Sequence, residues 1–207
     1  MQLDQLRPRL WRWTAPHPDW RPRADWDQEV ACTALVSDEF VLVDPLAPTG
    51  DDAERFWRAV DRDVEHHGAP HVVLTVPWHQ RSTAEVVDRY SGTRVWVYEP
   101  GAKDVQHVTD RFTDGDALPG GLVPYGARWE PEAVLWSPEH RALITGDVIL
   151  GGPRLLPSAW LSRGVTLADV REALAPLLEL PVELILPAHG EPVTEDAAAA
   201  LARALSA

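Results

Sequence analysis

Between Phe40 and Tyr98, three short apolar strands are separated by two stretches of helical periodicity. That β-α-β-α-β alternation confines the chain to a layered α/β architecture. Val30 to Asp44 reads as two strands joined at Ser37-Asp38-Glu39, the second being Phe40-Val41-Leu42-Val43-Asp44. Ala53, Phe56, Trp57, Val60 and Val64 then recur at the spacing of one helical face, with acids and arginines opposite, until Gly68 and Pro70. The next strands are His71–Val76 and Arg94–Tyr98. Between them Ser82-Thr83-Ala84-Glu85 has the pattern of a capping box and predicts a helix to about Tyr90.

The flanking regions differ in texture. Residues up to Asp27 are rich in Trp and Pro: a strand is expected around Leu10–Trp13, then a Pro-bounded loop whose indoles wall a core or a cleft. Gly101 to Glu132 is Gly-, Pro- and Asp-rich, as in short strands and loops. Ala133–Trp136 and Arg141–Thr145 form a hairpin around Ser137-Pro138-Glu139-His140. Leu167, Val170, Leu174, Leu177 and Leu178 have helical spacing, which Pro176 should kink or end. Val182–Leu186 is a strand, and Thr194 to Leu205 a terminal helix.

A length of 207 residues fits one domain, so residues 1–207 are expected to form a single unit. The formal charge of −13 disfavours nucleic acid as a partner. Cys32 is the one cysteine, which excludes an internal disulfide and a cysteine zinc knuckle; in an apolar strand it is expected to be buried. The first residues, MQLDQLRPRLWRW, are charged throughout, unlike a signal peptide or a membrane anchor, and the cytosol is the default location.

Ligands of layered α/β proteins gather beyond the carboxyl ends of strands. Three segments place polar residues there: Val72 to Ser82, Ala142 to Asp147, and Leu184 to Gly190. Taken singly, an Asp after Gly is a common turn residue, and a His before Gly is uninformative. Together, in this order, they resemble the metallo-β-lactamase superfamily. Phe40–Pro45 is similar to its early strand ending in Asp, and His71–Thr75 to the strand before its His-x-His-x-Asp-His motif. Ala142–Gly152 is similar to the strand ending in the bridging aspartate, and Leu184–Gly190 to the strand ending in the last histidine.

The resemblance implies a four-layer αββα sandwich, two mixed sheets flanked by helices. It also implies a degenerate zinc site. Threading the first motif from Thr75 puts Val76, Trp78, Gln80 and Arg81 at ligand positions, with His79 at a non-ligand one. Without gaps the next metal histidine is Arg128, leaving only Asp147 and His189. Two ligands do not make a catalytic zinc site, which needs three and an open position. The charge of Asp147 would then require another partner, and Arg81 or Arg128 is expected to pair with it.

Three functions are consistent with this reading. The first is a pseudoenzyme without cofactor that binds a small, anionic molecule in a pocket of Trp78, His79, Arg81, Arg128, Trp129 and Glu130. The second is a hydrolase of an ester, thioester or lactone, using one zinc or other divalent metal at Asp147 and His189 with His79 or Glu130 as third ligand. The third is a non-catalytic interaction protein. His17 and His107 are further ligands open to local realignment. Neither nucleic acid nor membrane is expected as a partner, and monomer and homodimer are equally open.

Overall fold

The structure, a computed structural model, describes residues 1–206. Strands β1 (Gln2–Arg7), β2 (Leu10–Pro16), β3 (Glu29–Val36) and β4 (Phe40–Val43) form an antiparallel meander. Helix α1 (Asp51–His67) leads to β5 (His71–Leu74). A 3₁₀ turn at Pro77–Gln80 and helix α2 (Thr83–Arg89) lead on to β6 (Arg94–Tyr98) and β7 (Asp110–Phe112). These seven strands make one mixed sheet in chain order, its last three pairings parallel.

The second half repeats the theme. β8 (Val123–Gly126), β9 (Ala133–Ser137) and β10 (Ala142–Thr145) are antiparallel neighbours. After the small ribbon of β11 (Ile149–Leu150) and β12 (Arg154–Leu155) comes helix α3 (Leu167–Leu174). β13 (Leu184–Pro187) then pairs parallel to β10, and helix α4 (Ala197–Ser206) ends the described chain.

The alternation of side chains along the strands assigns the layers. Phe40, Leu42, Val72 and Leu74 pack with Phe56 and Val60 of α1 and Val86 of α2. Their sequence neighbours Val41, Val43 and Val73 point the other way, onto Leu135, Ala142, Ile144, Leu184 and Leu186 of the second sheet. That sheet's opposite face, Val134, Trp136, Leu143 and Ile185, is covered by Val170 and Leu174 of α3 and Leu201 of α4. Helix, sheet, sheet, helix: the four-layer mixed-sheet sandwich holds because its central strands, such as β4, β9, β10 and β13, are buried on both faces. No helix among the described residues is long and apolar enough to cross a membrane.

Local departures from the sequence expectations have physical reasons. β1 is polar and carries no apolar alternation, yet it adds to the free edge of β2. Ser82 precedes α2 without capping it: its hydroxyl accepts from Ala47 N–H at 3.0 Å and donates to Glu85 at 3.2 Å. The capping box is instead at α3, where Thr166 accepts from Asp169 N–H and Asp169 accepts from Thr166 N–H. Pro176 ends α3 as expected, the chain continuing as a 3₁₀ turn over Ala175–Glu179.

Candidate metal centre

Residues following β5, β10 and β13 line one cleft with His79, Asp147 and His189, and the end of β4 places Asp44 behind His79. Asp44 follows β4, in the left-handed region at φ 50°, a conformation Asp tolerates better than most residues. Its carboxylate is buried and fully used: Oδ1 accepts from Thr75 N–H at 2.8 Å, and Oδ2 accepts from Thr75 Oγ1 at 2.5 Å and His79 Nδ1 at 2.9 Å. Because a carboxylate only accepts, Nδ1 of His79 carries a proton, and Nε2 is the nitrogen open to a metal ion or to a second proton. The Pro77–Gln80 turn aims that nitrogen at Asp147.

Asp147 stands after Gly146 at the end of β10. A Cβ on Gly146 would lie 2.6 Å from Thr75 Oγ1 and 2.9 Å from Glu132 Oε1, so glycine is what lets the chain pass into the cleft. His189 follows β13, its backbone held on two sides: it bridges to Val30, and its carbonyl accepts from Gly151 N–H at 2.8 Å. The buried Arg12 guanidinium donates to the next carbonyl, Gly190 O, at 2.5 Å.

His79, Asp147 and His189 each offer a ligand atom, and those atoms lie within 4.8 Å of one another. The Nε2 atoms of His79 and His189 stand 3.3 and 3.2 Å from Asp147 Oδ1, yet that oxygen has no hydrogen bond. The other oxygen, Oδ2, accepts from Trp78 Nε1 at 2.8 Å. Burial opposes ionisation of Asp147, but the two histidines outweigh it and hold the carboxyl well below the usual carboxylate range. Burial and Arg81 depress His79, but Asp147 and Asp44 prevail and push it up to about 9. Beneath the cluster Glu132 is fully buried, and desolvation with the charge of Asp147 pushes it up to about 8 against the bonds from Val148 N–H and Trp129 Nε1.

Two histidine nitrogens and one carboxylate oxygen suit zinc, iron or manganese. The orphaned, buried Oδ1 and a histidine already oriented by a carboxylate through its far nitrogen are what such a group requires. The residues present therefore fit one divalent ion.

The remaining site expectations divide. Trp78, His79, Arg81, Trp129 and Glu130 line a cavity of about 640 Å³ together with Asp147 and His189. Arg128 does not line it: at φ 60° its side chain is exposed. Neither arginine pairs with Asp147. Arg81, at φ 33°, turns Nη1 away to the carbonyls of Ala31 at 3.2 Å and Asp44 at 3.1 Å and to Cys32 Sγ. The partners foreseen as guanidinium groups are imidazoles, closer and aimed at the carboxylate. Glu130 is drawn off to Ser162. His17 lines the cleft edge-on to Trp26, whereas His107 does not reach it. Asp25, Trp26 and Trp160 complete the wall; of these, only the Trp-rich loop had a signal in the sequence.

No family model and no curated protein matches the chain. Solved structures do. It superposes on a metallo-β-lactamase from Pontibacter korlensis with a TM-score of 0.71 at 15% identity, covering 99% of this chain and 98% of that one. The chain has the metallo-β-lactamase fold. A metallo-β-lactamase from Hirschia baltica matches at TM-score 0.67 and 16% identity, over 99% and 97% of the two chains. A metal-soaked flavodiiron core from Synechocystis matches at 0.70 and 14%, over 99% of this chain and 60% of that one. Within this metallo-β-lactamase fold, Asp147 and His189 occupy the strand ends that the resemblance assigned to ligands, and His79 joins them from a position it assigned to none.

Proposed function

We propose that this metallo-β-lactamase-fold protein is a hydrolase of small ester, thioester or lactone substrates that uses a single divalent metal ion held by His79, Asp147 and His189. The observation that carries the reading is the convergence of those three ligand atoms around an unbonded, buried carboxylate oxygen. Similarity of fold to proteins described as metallo-β-lactamases and to a metal-soaked flavodiiron core supports a metal-binding role.

When bound, a divalent ion supplies Lewis-acid polarisation of a substrate oxygen and acidifies water. The chain's own residues do the rest. Asp44 keeps the proton on His79 Nδ1 and so keeps Nε2 a ligand. Trp78 donates to Asp147 Oδ2 and so fixes the orientation of the carboxylate whose Oδ1 would hold the ion. Trp78 and Trp129, edge to face at 6.0 Å, offer an apolar wall against which a substrate body packs and water is excluded.

A second reading, a metal-free binding protein, has its own support: with His79 pushed up to about 9, an imidazolium beside Asp147 balances the carboxylate without a metal ion. Elemental analysis of protein purified without added metal, followed by turnover of aryl and thiol esters before and after chelation, separates the two. About one equivalent of zinc, iron or manganese, with chelator-sensitive hydrolysis lost in His189→Ala, is the expected result. Metal-free protein that binds no added zinc or manganese would sink the hydrolase reading.

A further inference from the structure

The charge of the cleft runs opposite to that of an anion-binding pocket. Of the residues lining it, Asp19, Asp25, Glu130 and Asp147 are carboxylates, and Arg81 is the one guanidinium, with Nη1 committed to backbone carbonyls. Four carboxylates outnumber that one guanidinium, and with one divalent ion on Asp147 the lining still carries a net negative charge. Asp147 itself is nine-tenths buried and lines this cavity, with its Oδ1 flanked by the imidazoles of His79 and His189.

The aromatic lining points to the same class of ligand. Trp26 stands edge-on to His189 at 5.6 Å on one side of the cluster, and Trp78 and Trp129 form the other side. One segment ties the rim together: Trp160 donates its indole N–H to Asp25 at 2.5 Å, and Ser162, two residues on, donates to Glu130. Asp25 and Glu130 are thus each held in place through one oxygen, and among the described residues the other oxygen accepts no hydrogen bond. Asp25, Trp26 and Trp160 also line a smaller adjoining pocket of about 120 Å³, where Asp27 stands with Arg154. Electron-rich indole faces beside fixed carboxylates are the chemistry that holds an organic cation, since the ring quadrupole and the carboxylate charge act in the same direction. The net charge of −13 raises the local concentration of such a ligand further.

We propose that the cleft takes a substrate with an ammonium or other organic cation on an apolar body, the cation seated at the rim among Trp26, Trp160, Asp25 and Glu130. The inference rests on the proposed hydrolase reading for what happens at the other end of the substrate, but binding of the cation needs no metal.

The test is a tryptophan-fluorescence or calorimetric titration of the full chain with three probes of equal shape: benzyltrimethylammonium, its uncharged carbon analogue neopentylbenzene, and phenylmethanesulfonate as the anion. Both chelator-treated and zinc-loaded protein are titrated. The ammonium probe is expected to bind about ten-fold tighter than the uncharged one, with the sulfonate weakest, in both forms. Asp25→Asn and Glu130→Gln together should remove most of that difference while leaving the uncharged probe unchanged; Asp19→Asn, whose carboxylate makes no hydrogen bond or ion pair among the described residues, serves as the single change least able to disturb folding and should narrow the difference partway. Equal binding of the charged and uncharged probes, preference for the sulfonate, or no saturable binding of the ammonium probe overturns the proposal. Selectivity that persists in protein unable to take up zinc would mean that the metal reading alone fails. Zinc uptake without selectivity would mean that this one does.

Discussion

Asp44→Asn is the change that most directly tests the metal centre, because it alters one charge and almost no volume. Asn can keep the φ of 50°. What it cannot do is accept on both oxygens. In the wild type Oδ1 accepts from Thr75 N–H, and Oδ2 accepts from Thr75 Oγ1 and His79 Nδ1. If the amide NH2 faces Thr75 N–H, two donors collide in a buried site. If it faces His79, Nδ1 must become the acceptor, which moves the proton to Nε2 and removes the lone pair a metal would use. Losing a charge-assisted buried bond costs about 1.5–3 kcal/mol of stability. Loss of such an outer partner lowers metal affinity about 10–100-fold, or about 1.4–2.7 kcal/mol. Competition for zinc against a chromophoric chelator measures the second effect, and urea denaturation of the metal-free protein the first. Wild-type zinc affinity in a folded Asp44→Asn protein would refute the idea that His79 is a ligand oriented by Asp44.

Three further outcomes are expected. Cys32, pushed up to about 11 chiefly by burial despite the nearby Arg81, should resist Ellman's reagent in the native protein and react fully in denaturant; fast native labelling would contradict its placement. Leu135→Ala, which empties a fully buried site between the two sheets, should lower the free energy of unfolding by about 2–5 kcal/mol in urea titrations. In the metal-free protein, stability should fall as pH rises from about 5 to about 9. Glu132 holds its proton in the fold until about 8 against an ordinary value of 4.5, and His79 until about 9 against 6.5. Over both windows the native state binds more protons than the unfolded one, so each lost proton subtracts up to about 1.4 kcal/mol per pH unit; a midpoint temperature that is flat or rises over this range would contradict the assignment.

How much of this was legible in advance differs from element to element. Helix α1 could be read from Phe56, Trp57, Val60 and Val64, because a surface helix carries its whole packing pattern in one continuous stripe. β4, β5, β10 and β13 could be read as strands from their unbroken apolar runs. β1 could not: a polar edge strand is specified by the backbone of its neighbour, not by its own side chains. At the site, Asp147 and His189 lie directly after strands, where register is rigid, and so were found. His79 lies in a 3₁₀ turn, where a shift of one residue changes the direction in which a side chain points; aligning by count assigned it away from the ligands. Arg81 and Arg128 were misplaced for the same reason, since both sit at positive φ, a local conformation that redirects the side chain.

The amino-acid sequence by itself determined a layered α/β class, the order of the central strands and helices, and which strand ends would carry acid and histidine, because apolar periodicity and strand termini are local properties. Only the tertiary structure decided that Asp44 orients His79, that Trp78 and the two histidines rather than guanidinium groups surround Asp147, and that Asp25, Trp26 and Trp160 from distant loops close the cleft. Those pairings join residues 35 to 135 positions apart. They depend on how two sheets stack, and no spacing along the chain encodes a distance across that stack.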